Sequence, residues 1–222
     1  MDIYPLDKNS YIFPNPHFAS DEGLLAYGGD LTPSRIMTAY SKGIFPWYNE
    51  DDPILWWSPN PRLVLELNEF KVSKSLQKII NKEIFEIKFD ENFKQTMMEC
   101  KNINRENQDK TWIQDEVIEA YTDIHDMGFA HSFEAYYNGE LVGGGYGINI
   151  GNVFCGESMF AKKSNASKVA LYFLVQRLKE KGFRLIDCQI PSPHLQSLGA
   201  KVMPRNEFLE LIKNSVDNYK EF

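Results

Sequence analysis

The chain is poor in the residues that staple, ligate or span. Its 222 residues include three cysteines, Cys100, Cys155 and Cys188. An odd number without metal-ligand spacing reads as free reduced thiols and excludes a disulfide scaffold or a zinc site. The histidines His17, His125, His131 and His194 lie far apart with no Cys or His at ligand spacing, so no metal is expected. No apolar run approaches the roughly 18 residues of a membrane span. The start, Met1-Asp-Ile-Tyr-Pro-Leu-Asp, is acidic where a secretory signal is basic, so the expectation is a cytoplasmic protein with no membrane association. No Gly-x-x-x-x-Gly-Lys segment cradles phosphates, and Gly143-Gly144-Gly145 with Gly147 falls in strand-like sequence, not before a helix, which argues against ATP and dinucleotides. Gly156-Glu157-Ser158 lacks the frame of a nucleophile elbow, which argues against a serine hydrolase. Repeats and low-complexity segments are also missing.

What is present is an ordinary globular composition, 43% hydrophobic and 14% aromatic, enough for one sizeable core and for a small domain beside a larger one. The net charge of -7 speaks against nucleic-acid binding by bulk electrostatics. Its distribution is more informative. Between Phe70 and Lys82 stand Lys71, Lys74, Lys78 and Lys82 with no acidic residue. On a helix these four would fall within about 80° of arc, away from Val72, Leu76, Ile79 and Ile80. Such an edge is either simply solvated or a stripe that neutralises phosphates and releases counterions.

Residues 1–67 are expected to form a smaller loop-rich domain dense in Gly, Pro and aromatics, and residues 68–222 a larger one. In the first part, Thr32 to Lys42 reads as a helix with Thr32 as cap, Pro33 first and Gly43 after the end, and Leu63 to Leu67 as a strand. Its aromatics suit either a second packing layer or a wall that stacks on rings. In the second part, Phe85–Phe89 alternates like a strand, Glu91–Lys101 reads as a helix, and Val117, Tyr121 and Ile124 mark another that Gly128 ends. Strands follow at His131–Tyr137, Glu140–Ile148 and Val153–Met159, the first two joined by Asn138-Gly139, a strong hairpin signal. Asn165 is placed to cap a helix running to about Lys181, and Arg184–Gln189 is the next strand. A meander, then a helix, then a strand indicates an α+β fold with a mostly antiparallel sheet.

Two short segments carry polar groups inward. Asp187 and Gln189 share a face of an otherwise apolar strand, and Glu157 stands among Phe154, Gly156, Met159 and Phe160. An unpartnered buried polar group costs on the order of 2–7 kcal/mol, and a charge more. The three are expected to form one polar floor in an apolar cleft, able to receive a cationic group.

Nine strings together resemble the bacterial leucyl/phenylalanyl-tRNA-protein transferases: Gly23-Leu-Leu-Ala, Gly28-Gly-Asp-Leu, Gly43-Ile-Phe-Pro-Trp47, Trp56-Trp-Ser-Pro, Thr111-Trp-Ile, Phe154-Cys-Gly-Glu-Ser-Met-Phe160, Asn165-Ala-Ser-Lys168, Leu185-Ile-Asp-Cys-Gln189 and Ser197-Leu-Gly-Ala200. They stand in the family's order between about residues 13 and 208. The resemblance implies a GNAT-like acyltransferase domain and a monomer. It implies transfer of Leu or Phe from aminoacyl-tRNA to the α-amino group of proteins beginning with Arg or Lys, marking them for degradation. The aminoacyl ester is already activated, so no cofactor, ATP or metal is called for; positioning, loss of an amine proton and oxyanion stabilisation remain.

By the same resemblance, Gln189 lies beside the attacking amine, Asp187 orients it, and Glu157 receives the cationic N-terminal residue. A neutral amide is a very weak base, which favours a hydrogen-bonding and positioning role for Gln189, with proton transfer assisted by the tRNA's own terminal ribose hydroxyl. Trp47, Trp112 and Phe154 match positions that hold the terminal adenosine and the aminoacyl side chain, and Lys71, Lys74, Lys78 and Lys82 occupy the place of a basic tRNA-facing helix. An acyl-CoA-dependent transferase is the rival enzyme, but Lys162-Lys-Ser-Asn-Ala-Ser-Lys168 lacks its glycine-rich pyrophosphate loop. An RNA-binding module without catalysis would leave Asp187, Gln189 and Glu157 unexplained. His194 reads as a surface or capping residue.

Overall fold

Glycines at positive φ follow the helices that end at Ser41, Asp126, Glu180 and Ser197 in the computed structural model, which describes residues 3–103 and 111–222. The polar loop read over Asn102–Lys110 lies mostly outside the described residues. Short strands β1 (Tyr4–Leu6), β2 (Leu24–Gly28), β3 (Phe45–Pro46) and β4 (Leu55–Trp57), with α1 (Pro33–Ser41) between β2 and β3, form a four-stranded sheet in the order β1-β2-β4-β3. Helix α1 ends as expected, with Gly43 at φ +71°. Thr32 precedes it but makes no side-chain cap; its hydroxyl donates to Asp30 Oδ1 at 2.7 Å. The same carboxylate holds Arg35, which is buried and also donates to the carbonyls of Asp7, Lys8 and Ser10. Gly28-Gly29-Asp30 is therefore a folding device rather than a binding loop.

The remaining elements are β5 (Arg62–Glu66), α2 (Lys74–Ile80), β6 (Glu86–Phe89), α3 (Phe93–Asn102), α4 (Asp115–Asp126), β7 (Ala130–Tyr137), β8 (Glu140–Ile150), β9 (Val153–Ala161), α5 (Ala166–Glu180), β10 (Leu185–Gln189), α6 (Pro193–Ser197), β11 (Lys201–Met203) and α7 (Arg205–Val216). The large sheet has seven strands in the order β11-β5-β10-β9-β8-β7-β6. Every neighbouring pair in it is antiparallel except β9 and β10. The α+β class is thus observed. Strand β5, which precedes the boundary expected at residue 67, is hydrogen-bonded between β10 and β11 in this sheet.

Two buried clusters hold the layers together. In one, Tyr40, Ile44 and Trp56 pack with Tyr121, Ile148, Leu185 and Phe208; in the other, Leu63, Leu65, Phe154 and Ile186 pack with Val169, Leu171 and Leu174 of α5. At about 25 cal/mol per Å² of apolar area, such burial is the main stabilising term. Of the N-terminal aromatics, Phe13, Tyr40, Phe45, Tyr48 and Trp56 therefore serve packing, while Tyr4, Tyr11, Phe18, Tyr27 and Trp47 are exposed. The glycines of β8 permit close approach: a Cβ on Gly143 would lie 2.5 Å from that of Ala166, and one on Gly147 2.5 Å from the Phe154 ring. Asn165 precedes α5 but does not cap it, since it sits at φ +66° and its amide donates to Ser164. No helix among the described residues is long and apolar enough to cross a membrane.

Candidate active site

The parallel ladder between β9 and β10 runs only from Leu185 opposite Val153 to Asp187 opposite Cys155. Beyond it both strands bulge away from their outer neighbours' register. On β9, Ser158 faces Tyr146 while Gly156 faces Gly147, leaving Glu157 as the extra residue. On β10, Asp187 faces Val64 while Gln189 faces Leu63, leaving Cys188 as the extra one. A bulge bends its strand and re-aims the side chains beside it. The two bulges part β9 from β10 and open a cavity of about 600 Å³. Its walls include Gly156, Glu157 and Met159 of β9, Ile186, Cys188 and Gln189 of β10, and Leu171 and Leu174 of α5. A mainly apolar hollow with a few convergent polar groups is the usual form of a ligand site.

Gln189 and Glu157 meet there, the amide Nε2 donating to Oε1 at 2.8 Å. Asp187 does not join them in the wall, which corrects the expectation of a three-residue polar floor. The bulge at Cys188 breaks the two-residue repeat on which that expectation rested. Asp187 is instead fully buried in a bidentate pair with Arg62, Nε to Oδ1 at 2.8 Å and Nη2 to Oδ2 at 2.6 Å. Arg62 also donates to the Gly43 carbonyl at 3.2 Å and is sandwiched by the rings of Phe45 and Phe208, 4.8 and 4.5 Å from their centroids. Burial disfavours its charge, but the Asp187 carboxylate more than compensates and raises its pKa above the ordinary value. Asp187 reaches the site indirectly, through Oδ1, which accepts the Gln189 backbone N–H at 2.9 Å and holds that residue at φ +62°. Sequence reasoning missed Arg62; its signal was an arginine opening an apolar strand while an inward acid elsewhere lacked a partner.

Burial pushes the Glu157 carboxyl up to about 8; hydrogen bonds from Tyr40 and Gln189 only partly oppose this, and the Asp187 charge adds to it. A carboxyl raised in the folded state stabilises the fold fully below its unfolded pKa, and that contribution is lost as pH climbs through the folded value. Glu157→Gln is therefore expected to gain thermal stability relative to the parent between pH 5 and pH 8, on the order of several °C in paired melting curves. Tyr40 was likewise not foreseen. It comes from α1, its hydroxyl lies 2.8 Å from that of Tyr121, and it helps to hold the Glu157 carboxyl down against burial. Burial also pushes the Cys188 thiol up, so it stays protonated.

Trp47, Trp112 and Phe154 all line the cavity. Trp47 is 36% exposed, its carbonyl taking the Trp57 indole N–H at 2.6 Å, whereas Trp112 and Phe154 are buried. Phe154 stacks on Phe222 with centroids 5.7 Å apart. His194 is exposed on α6 at the cavity's edge, and burial of part of its ring, with Lys168 nearby, lowers its pKa.

The lysines need a correction. Helix α2 covers only Lys74–Ile80, with Ser73 capping it by accepting the Leu76 N–H. Lys71 lies before it in extended chain tied to the Leu198 carbonyl, and Lys82 lies beyond its end, next to Glu83 at φ +51°. Only Lys74 and Lys78 share a helical edge, one turn apart. All four are exposed.

A cavity opened between two parted strands, floored by an amide and a carboxyl and walled by aromatic and aliphatic side chains, has the form of an enzyme's substrate site. Comparison with known proteins defines which. The chain belongs to the leucyl/phenylalanyl-tRNA protein transferase family, aminoacyl-tRNA-dependent aminoacyltransferases: the family's sequence model matches residues 64–213, and that of its N-terminal domain residues 29–60. It is 55% identical over 208 residues to the leucyl/phenylalanyl-tRNA–protein transferase of Sulfurimonas denitrificans, covering 94% of this chain and 90% of the relative. The Hydrogenovibrio crunogenus enzyme of the same name is 52% identical over 98% of this chain and 85% of its own. That of Flavobacterium johnsoniae is 50% identical over 96% of this chain and all of its own length (100%).

Proposed function

We propose that this cavity takes the aminoacylated 3′ end of Leu- or Phe-tRNA and brings its ester to the α-amine of a protein beginning with Arg or Lys, marking that protein for degradation. The observation that carries this reading is the Gln189–Glu157 pair at the open end of the β9–β10 ladder, where an amine and a carbonyl can be held together. Trp47 and Trp112 flank the terminal adenosine. Phe154, with Met159, Leu171 and Ile186, encloses the unbranched-β side chain of Leu or Phe. Gln189 and Glu157 receive the acceptor's N-terminal residue, and Asp187 holds the Gln189 backbone in place. Lys71, Lys74, Lys78 and Lys82 track tRNA phosphates from outside the cavity.

The same reading makes the larger part of the chain GNAT-like, supported by its meander β7-β8-β9, crossover helix α5 and parallel β10, with the loop-rich first part as a smaller domain. The enzyme acts as a monomer in the cytoplasm. Transfer of radiolabelled leucine or phenylalanine from charged tRNA tests this. Label is expected on an acceptor beginning with Arg and not on the same protein beginning with Met, nor with acetyl-CoA as donor. Intact tRNA binding without any transfer would overturn the reading.

A further inference from the structure

We propose that Glu157 is the proton acceptor of the transfer reaction, and that Tyr40 and Tyr121 are positioning residues that keep a hydrogen bond on it in both of its protonation states. This rests on the reading above that the acceptor amine binds beside Gln189.

Two acidic side chains stand at this end of the sheet. Asp187 is removed from the chemistry by geometry: Arg62 holds both of its oxygens, Oδ1 also accepts the Gln189 N–H, and the side chain is outside the cavity wall. Glu157 lines the cavity. Gln189, donating through Nε2 to Glu157, keeps a carbonyl oxygen to orient an amine N–H but is no base. The groups around Glu157 are Tyr40 of α1, Tyr121 of α4, Cys155 of its own strand, Gln189 of β10 and the Asp187–Arg62 pair. Among these, the acceptor with an open side towards substrate is Glu157.

The phenols explain how a half-buried carboxyl can change state in place. The two hydroxyls lie 2.8 Å apart and either can donate, so in the proposed network an ionised Glu157 accepts from Tyr40, which accepts in turn from Tyr121. With Glu157 protonated, the directions reverse: the acid donates to the Tyr40 oxygen and Tyr40 to that of Tyr121. Either way no polar atom of the carboxyl is stranded, which would cost about 1–3 kcal/mol. Both phenols are buried, and burial together with the nearby Glu157 carboxylate raises them well above their ordinary pKa, so they orient the proton and do not release it.

The step balances within the site. The neutral α-amine attacks the ester carbonyl and forms the C–N bond, and the ammonium nitrogen of the tetrahedral adduct gives its proton to the Glu157 carboxylate. The C–O bond to the tRNA ribose then breaks, its electron pair going to the ribose oxygen. Protonated Glu157 returns the proton to that oxygen, leaving an amide, a free tRNA hydroxyl and an ionised Glu157.

The test is single-turnover transfer from Phe-tRNA to an Arg-initiated peptide, between about pH 6 and pH 9, on the parent and on Glu157→Gln, Tyr40→Phe and Tyr121→Phe. The peptide amine titrates near pH 8 in every case, so differences between variants report the enzyme group. Glu157→Gln is expected to lower the saturated rate by about 10²- to 10⁴-fold. Tyr40→Phe removes a donor that favours the ionised form and is expected to lower activity about tenfold at pH 7, the deficit narrowing as pH rises. Tyr121→Phe should shift the profile in the same direction by less. Thermal melts identify a variant that fails to fold, and the other phenol then decides. A Glu157→Gln rate within tenfold of the parent, with only the peptide KM raised, would overturn the proposal, as would Tyr→Phe profiles superimposable on the parent's. A parent enzyme that transfers nothing would refute the proposed function instead.

Discussion

Arg62→Met is expected to lose about 3–5 kcal/mol of folding stability, because it leaves the Asp187 carboxylate buried without its partner. Asp187→Ala should lose a similar amount by stranding the guanidinium between Phe45 and Phe208. The double variant Arg62→Met/Asp187→Leu removes both charges and is expected to recover most of that loss, since a buried pair replaced by apolar side chains of similar volume is often neutral. Urea unfolding of the three proteins measures this.

Activity should not recover with stability. Without Asp187 Oδ1 the Gln189 N–H loses its acceptor, and with it a restraint that holds that residue at φ +62°, where a side-chain-bearing residue is disfavoured. Transfer is therefore expected to be abolished in Asp187→Ala and in the double variant, while tRNA binding is spared. A double variant as active as the parent would show that the ion pair serves the core alone.

Lys74→Glu/Lys78→Glu is expected to do the reverse. The two lysines sit one turn apart on α2, exposed and outside the cavity wall. Removing two phosphate contacts should flatten the slope of log affinity against log salt by roughly two, at about 0.9 per contact. Reversing the charge adds repulsion, so tRNA affinity near 0.1 M salt should fall on the order of ten- to a hundredfold. The saturated transfer rate should stay close to the parent's. Filter binding across a salt series together with single-turnover transfer separates the two quantities, and loss of both in equal measure would place the helix in the chemistry. The net charge of -7 means that this attraction is local and screened beyond about 10 Å at 0.1 M.

Local pattern decided more about this protein than its length would suggest. Asn138-Gly139 between alternating residues forces the β7–β8 turn, Gly43 and Gly182 end α1 and α5 because they reach positive φ cheaply, and the inward Asp187, Gln189 and Glu157 announce a polar interior. Trp47, Trp112 and Phe154 were legible through whole motifs and meet in one cavity. Other features depend on partners far away in the chain. The Thr32 hydroxyl turns to Asp30 instead of capping α1, and α2 starts only at Lys74 because Ser73 caps it, leaving Lys71 in chain bonded to Leu198. The division among the polar residues is of this second kind. A period of two places Asp187 and Gln189 on one face, but register is a property of paired strands. Bulges against β5 and β8 turn Gln189 and Glu157 into the opening and leave Asp187 with Arg62, 125 residues away in sequence. Residue types and spacing thus determined the kind of chemistry; only the packing of β5, β9, β10 and α1 decided which groups reach the substrate, because charge is tolerated in a core only where the tertiary structure supplies its partner.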